Sequence, residues 1–228
     1  MDLTKYAQEP LETVENKLLV TLVIDTSVEM NLGLIDIVNK SLTDFFRDFY
    51  LDERYLGSLE LAIIESHNNV IIRRVPKLLD ADHPTQTPRL EATAVKSSLM
   101  QSIETAIELC KARKAFYRQE GNRYYRPNII VLSHGDINNY SEETLKRINA
   151  EMKNKEYSIH FYAGDKANSH FVSNVSKHHF SLNNSFSLFY AIDNIYSCLL
   201  LESDNYIPRD FLPNFNDSDI DWLNKFEI

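Results

Sequence analysis

Leu18-Leu19-Val20-Thr21-Leu22-Val23-Ile24-Asp25 is an apolar run that ends in an acid. It shows no apolar–polar alternation, so it reads as a strand buried on both faces, as in a parallel sheet. On its carboxyl side, Leu34, Val38, Leu42, Phe45 and Phe49 step by three and four, which predicts a helix over 33–50 with one buried stripe. Residues 58–66 and 69–75 read as two strands joined by a tight turn at Asn68-Asn69, an edge hairpin. Residues 76–94, with Pro76, Pro84 and Pro88, read as a long surface loop.

Further along, Leu99, Ile103, Ala106, Ile107 and Cys110 predict a helix over 97–117. Asn128-Ile129-Ile130-Val131-Leu132 reads as a second buried strand, ending in Ser133-His134-Gly135-Asp136. Ser141 caps a helix over 142–153, and a strand follows at 157–163. A short helix near 168–176, a short strand near 178–181 and a helix over 185–201 complete the order. Helices alternating with apolar strands predict an α/β fold: a doubly wound, mostly parallel six-stranded sheet with one antiparallel edge strand. Ligands of such sheets bind beyond the carboxyl ends of the strands, where the polar clusters after Ile24 and Leu132 should meet.

Bulk composition narrows the function. With 228 residues, 43% of them hydrophobic, the chain can bury one sizeable core. Its net charge of -9 and pI near 5.3 argue against nucleic acid as the main ligand. The five glycines are too scattered for GxGxxG or a Walker loop, which excludes nucleotide binding of those kinds. Apolar runs are far shorter than a membrane span, and the N-terminal residues do not resemble a signal peptide. Cys110 and Cys198 sit in apolar segments, as reduced core residues of a cytoplasmic protein would.

Three segments carry a family resemblance. They are Val23-Ile24-Asp25-Thr26-Ser27-Val28-Glu29-Met30, then Ser97-Ser98-Leu99-Met100 with the helix that closes on Tyr124-Tyr125-Arg126-Pro127, and Ile130-Val131-Leu132-Ser133-His134-Gly135-Asp136. Over about residues 16–200 the chain resembles von Willebrand factor type A (VWA) domains, in particular the bacterial TerY-like group associated with tellurium resistance and stress. The resemblance implies a Rossmann-like fold and a metal-ion-dependent adhesion site. In that site a D-x-S-x-S segment, a threonine and a distal aspartate surround magnesium, and a partner's carboxylate completes the octahedron. Carried over, the site is Asp25, Ser27, Glu29, Ser97 and His134. Glu29 stands in place of the second serine and His134 in place of the distal aspartate, so the site is degenerate. Imidazole is a poor magnesium ligand.

Three states of that site stay open on sequence alone: a Glu29–His134 ion pair replacing the metal, zinc or manganese on Asp25, Glu29 and His134, and weak magnesium binding. The expected function is protein–protein interaction, not catalysis. The resemblance implies an adaptor in a bacterial stress or defence system, with a protein kinase or phosphatase as partner. The rival is a metal-dependent hydrolase on Asp25, Glu29 and His134. A third reading is a structural subunit that only assembles a complex.

Lys111, Arg113, Lys114, Arg118, Arg123 and Arg126 form a basic cluster, read as a solvated helix end in preference to a phosphate patch. His178-His179 point to opposite faces of a strand and chelate poorly, while His160 reads as a satisfied core residue. The VWA domain is expected over 1–201 and an acidic aromatic tail over 202–228. That tail carries seven acids against two bases, a net charge of -5. With Phe211, Phe215, Trp222 and Phe226 it suits docking, either onto this domain or into a partner's groove.

Overall fold

The computed structural model describes residues 16–49, 52–55, 57–79, 89–134, 140–164, 169–176 and 179–201. The tail from 202 to 228, and with it Phe211, Phe215, Trp222 and Phe226, lies outside the described residues, as do Gly135 and Asp136.

Six strands form one sheet: β1 (Leu18–Asp25), β2 (Leu59–Ser66), β3 (Val70–Leu78), β4 (Asn128–Ser133), β5 (Ser158–Ala163) and β6 (His179–Ser181). Their spatial order is β3-β2-β1-β4-β5-β6. All neighbours pair in parallel except β2 and β3, which are antiparallel. The helices are α1 (Leu34–Phe49), α2 (Leu99–Gln119), α3 (Glu142–Lys153), α4 (Ser169–Val175) and α5 (Leu188–Leu201). This is the mostly parallel six-stranded α/β sheet with one antiparallel edge strand that the sequence predicts.

Every residue of β1 is buried, because it is a central strand covered on both faces. Its alternate residues feed two separate cores. Leu18, Val20, Leu22 and Ile24 meet α1 and α5 on one face. Leu19 and Val23 meet α2, α3 and α4 on the other. The α1 stripe at Val38, Leu42, Phe45 and Phe49 is buried as its spacing required. Ser141 caps α3, its hydroxyl accepting from the Thr144 amide at 3.0 Å.

The expected surface loop at 76–94 needs correction at both ends. Strand β3 continues through Pro76 to Leu78, since an edge strand has one open side and tolerates a residue without an N–H. Leu90, Ala92 and Ala94 are buried, because residues 90–94 are laced onto α1 and the chain just after β1.

The basic cluster is not a solvated helix end. Arg113 is buried and holds Glu60 with two hydrogen bonds, Nε to Oε2 at 2.7 Å and Nη2 to Oε1 at 2.8 Å. Tyr117 donates its hydroxyl to the same carboxylate at 2.8 Å. Lys114 is buried against Glu156, and Lys111 bridges Glu108 and Glu151. Only Arg118 and Arg123 of the six are exposed. The Tyr124-Tyr125-Arg126-Pro127 ending is structural too: Tyr124 stacks on Tyr117, and Tyr125 N donates to Lys17 O at 2.8 Å beside β1. His160 is a satisfied core residue, paired through Nε2 with Asn128 Oδ1 at 3.0 Å.

Candidate functional site

The parallel registers bring four strand ends to one edge. Asp25 of β1 lies level with Ser66 of β2, and Ser133 of β4 with Ala163 of β5. Asp25 ends β1, Ser27 and Glu29 follow it, His134 follows β4, and Ser97 comes from the segment that leads into α2.

Asp25 is 2% exposed, and both its carboxylate oxygens are engaged. Oδ1 accepts from the Ser27 amide at 2.9 Å, and Oδ2 accepts from the Ser133 hydroxyl at 2.9 Å. Ser27 is buried at the start of a 3-10 turn, Val28–Asn31. Ser97 is half-buried, and its hydroxyl pairs with that of Ser66 at 3.1 Å. Thus Asp25, Ser27 and Ser97 do meet at the sheet edge, with Ser66 and Ser133 as further members that sequence reasoning missed. Both end an apolar strand in a short polar residue, which was the available signal.

Glu29 and His134 behave differently. Glu29 sits exposed on the 3-10 turn. His134 is half-buried beside Gly164, and its Nδ1 is buried with no hydrogen-bond partner among the described residues. No ion pair or hydrogen bond joins Glu29 to His134 among the described residues, so of the three states left open the ion pair does not form. The short 3-10 turn carries Glu29 outward, while the end of β4 keeps His134 inward.

Among the described residues, the donor set does not fit a magnesium site of the family type. Its one buried carboxylate already accepts two hydrogen bonds, and an imidazole stands where a hard cation needs oxygen. Nor do Asp25, Glu29 and His134 gather for a transition metal: among the described residues no three His, Cys, Asp or Glu side chains could hold one ion.

A second loop, residues 89–98, is stitched to the first. Val28 N donates to Ala94 O at 2.9 Å and Ala94 N to Thr26 O at 3.0 Å. Asn31 Nδ2 donates to Ala92 O at 2.7 Å, and Asn39 exchanges two hydrogen bonds with the Leu90 backbone. Behind them, Thr26 Oγ1 donates to Glu65 Oε1 at 3.1 Å, and Glu65 pairs with Arg73. The two loops are therefore a fixed surface. They leave Val28 44%, Leu32 74% and Val95 77% exposed. Among the described residues the only other large hydrophobic so exposed is Tyr190, on α5.

No protein-family model matches the chain, and no curated protein sequence matches it. Solved structures do. The mussel byssus proximal thread matrix protein 1 superposes with a TM-score of 0.55 at 10% identity, over 81% of this chain and 48% of that one. BatB from Bacteroides thetaiotaomicron gives 0.51 at 14% identity, over 82% and 100%. A von Willebrand factor type A structure from Catenulispora acidiphila gives 0.48 at 10% identity, over 71% and 36%. The first two carry the fold and nothing beyond it; the third adds no weight. This chain spans less than half of the mussel and Catenulispora chains. No helix among the described residues is long and apolar enough to cross a membrane.

Proposed function

We propose that this chain is a VWA-type protein-interaction module that binds through the carboxyl edge of its sheet and does no catalysis. One observation carries the reading. Three of the four well-exposed large hydrophobic residues among those described, Val28, Leu32 and Val95, lie on the two loops stitched at that edge. In doubly wound sheets this edge is where ligands bind. Exposed apolar side chains on a fixed surface favour a protein partner, because their burial on docking is favourable and little ordering opposes it. Since the donor set does not fit magnesium, the adhesion site acts here as a scaffold: Asp25 holds Ser27 and Ser133, and so shapes the loops.

The finer reading follows the resemblance to TerY-like proteins: an adaptor of a bacterial stress or defence system, working in the cytoplasm with a protein kinase or phosphatase. The acidic tail, with Phe211, Phe215, Trp222 and Phe226, is proposed as a second contact.

Site-specific photo-crosslinking in cells tests the proposal. A crosslinker at Val95 should give a discrete protein adduct, whereas one at exposed Lys146 on α3 should not. No adduct from Val95, or the same adducts from both positions, would overturn it.

A further inference from the structure

The chemistry of the edge says more about what it binds, granted that it is the binding surface. Family sites bridge two negative groups through a cation, one on each protein. Here Glu29 is exposed on the 3-10 turn between Val28 and Met30, and no ion pair among the described residues neutralises it. The donor set behind it does not fit the cation that would reverse its sign. A partner's carboxylate placed there would meet Glu29 as a like charge, which disfavours docking. A partner's guanidinium or ammonium would meet an opposite one.

We infer that this edge takes a basic peptide segment, an arginine or lysine flanked by apolar side chains, which pairs with Glu29 directly while its neighbours cover Val28, Leu32 and Val95. The surrounding charges agree. The two loops and the first turn of α1 expose Glu29, Asp36 and Glu91 against Arg89 and Lys96, so the surface is acidic on balance. Long basic side chains suit such a patch, since their methylene stems lie on apolar surface while the head reaches the acid. The chain's own tail is the less fitting occupant, because its net charge of -5 has the same sign as Glu29.

Selection of random peptides displayed on phage against the full chain, in EDTA, tests this. Selected peptides are then measured by fluorescence anisotropy against wild type, Glu29→Lys and Val95→Asp, with thermal melts confirming that both variants fold. The expected peptides carry Arg or Lys between apolar residues and bind without divalent cations. Charge reversal in Glu29→Lys should weaken them by about tenfold, and added salt should weaken them further. Val95→Asp should also weaken them, through lost apolar cover. If selection succeeds only in magnesium and yields acidic peptides that Val95→Asp weakens, the basic-partner inference fails while the edge stands as the interface. If no peptide is selected, or those selected ignore both substitutions, the inference and the proposed binding edge fail together.

Discussion

Ser133 donates its hydroxyl to Asp25 Oδ2 across 2.9 Å, tying the end of β4 to the end of β1. With the Ser27 amide on Oδ1, the bond satisfies a carboxylate that is almost fully buried. Ser133→Ala removes that donor and leaves one oxygen short. The expected loss is about 1–3 kcal/mol of stability, read by urea denaturation. An unchanged midpoint would mean that water reaches Asp25 and replaces the serine.

Magnesium should not stabilise this protein. A cation bound to the folded state at a thousand times its Kd would add about 4 kcal/mol. Melting curves in EDTA and in millimolar magnesium should therefore coincide. Elemental analysis of the purified protein, with His134→Ala as control, should find no stoichiometric metal that the substitution removes. A raised Tm in magnesium would restore the adhesion-site reading.

Glu60 and Arg113 are the costliest pair to separate, being buried between β2 and α2. Burial alone would lower the Arg113 pKa; the hydrogen bonds and charge of Glu60 outweigh it and raise it. Arg113→Met leaves the carboxylate buried without a countercharge, with the Tyr117 hydroxyl still donating to it, at an expected cost of roughly 3–5 kcal/mol. Replacing both, as Glu60→Leu with Arg113→Met, should recover much of that loss in equilibrium denaturation. A double variant no better than the single would show that the pair contributes more than its charges, for instance through Tyr117.

Alkaline pH should destabilise the fold well before it affects an average protein. Burial pushes the Cys110 thiol up to about 12. Burial also raises Tyr55, Tyr117, Tyr157 and Tyr162, with carboxylates adding to the rise at the first three. These groups stay neutral in the fold but ionise in the unfolded chain, near pH 8.5 for a thiol and about 10 for a phenol. Their contribution is therefore whole below those values and lost as pH rises toward the folded ones. Each should remove about 1.4 kcal/mol per pH unit over its window. Denaturation midpoints at pH 8 and 10.5 would check this; equal midpoints would refute it.

Gly164 leaves only tight space for a side chain. A Cβ there would stand 3.1 Å from Leu34 Cδ1 and 3.3 Å from the His134 carbonyl oxygen. The leucine tip can yield, whereas the carbonyl is backbone. Gly164→Ala should cost about 1–3 kcal/mol and displace His134, visible as a shift of its ring resonances in NMR spectra.

Most of the fold was legible in the residues. The short, β-branched apolar run at 18–24 pointed to a central strand, because a strand covered on both faces lacks alternation and the run is too short for a buried helix. The stepping of Val38, Leu42, Phe45 and Phe49 likewise required a one-sided helix. The end of the apolar run also placed Asp25 and Ser27 at the carboxyl edge, and the resemblance added Ser97. What local spacing could not assign were partners distant in sequence. Arg113 and Lys114 looked like a solvated helix end because Glu60 and Glu156 are 53 and 42 residues away.

Composition and periodicity, which act through burial and backbone geometry, thus determined the elements, their order and the edge where the loops meet. Only the tertiary structure decided which polar groups satisfy one another there. Ser133, 108 residues from Asp25, took a carboxylate oxygen that the resemblance assigned to a metal. Glu29 and His134 were left apart, because hydrogen bonding depends on tenths of an ångström between atoms that the chain brings together only by folding.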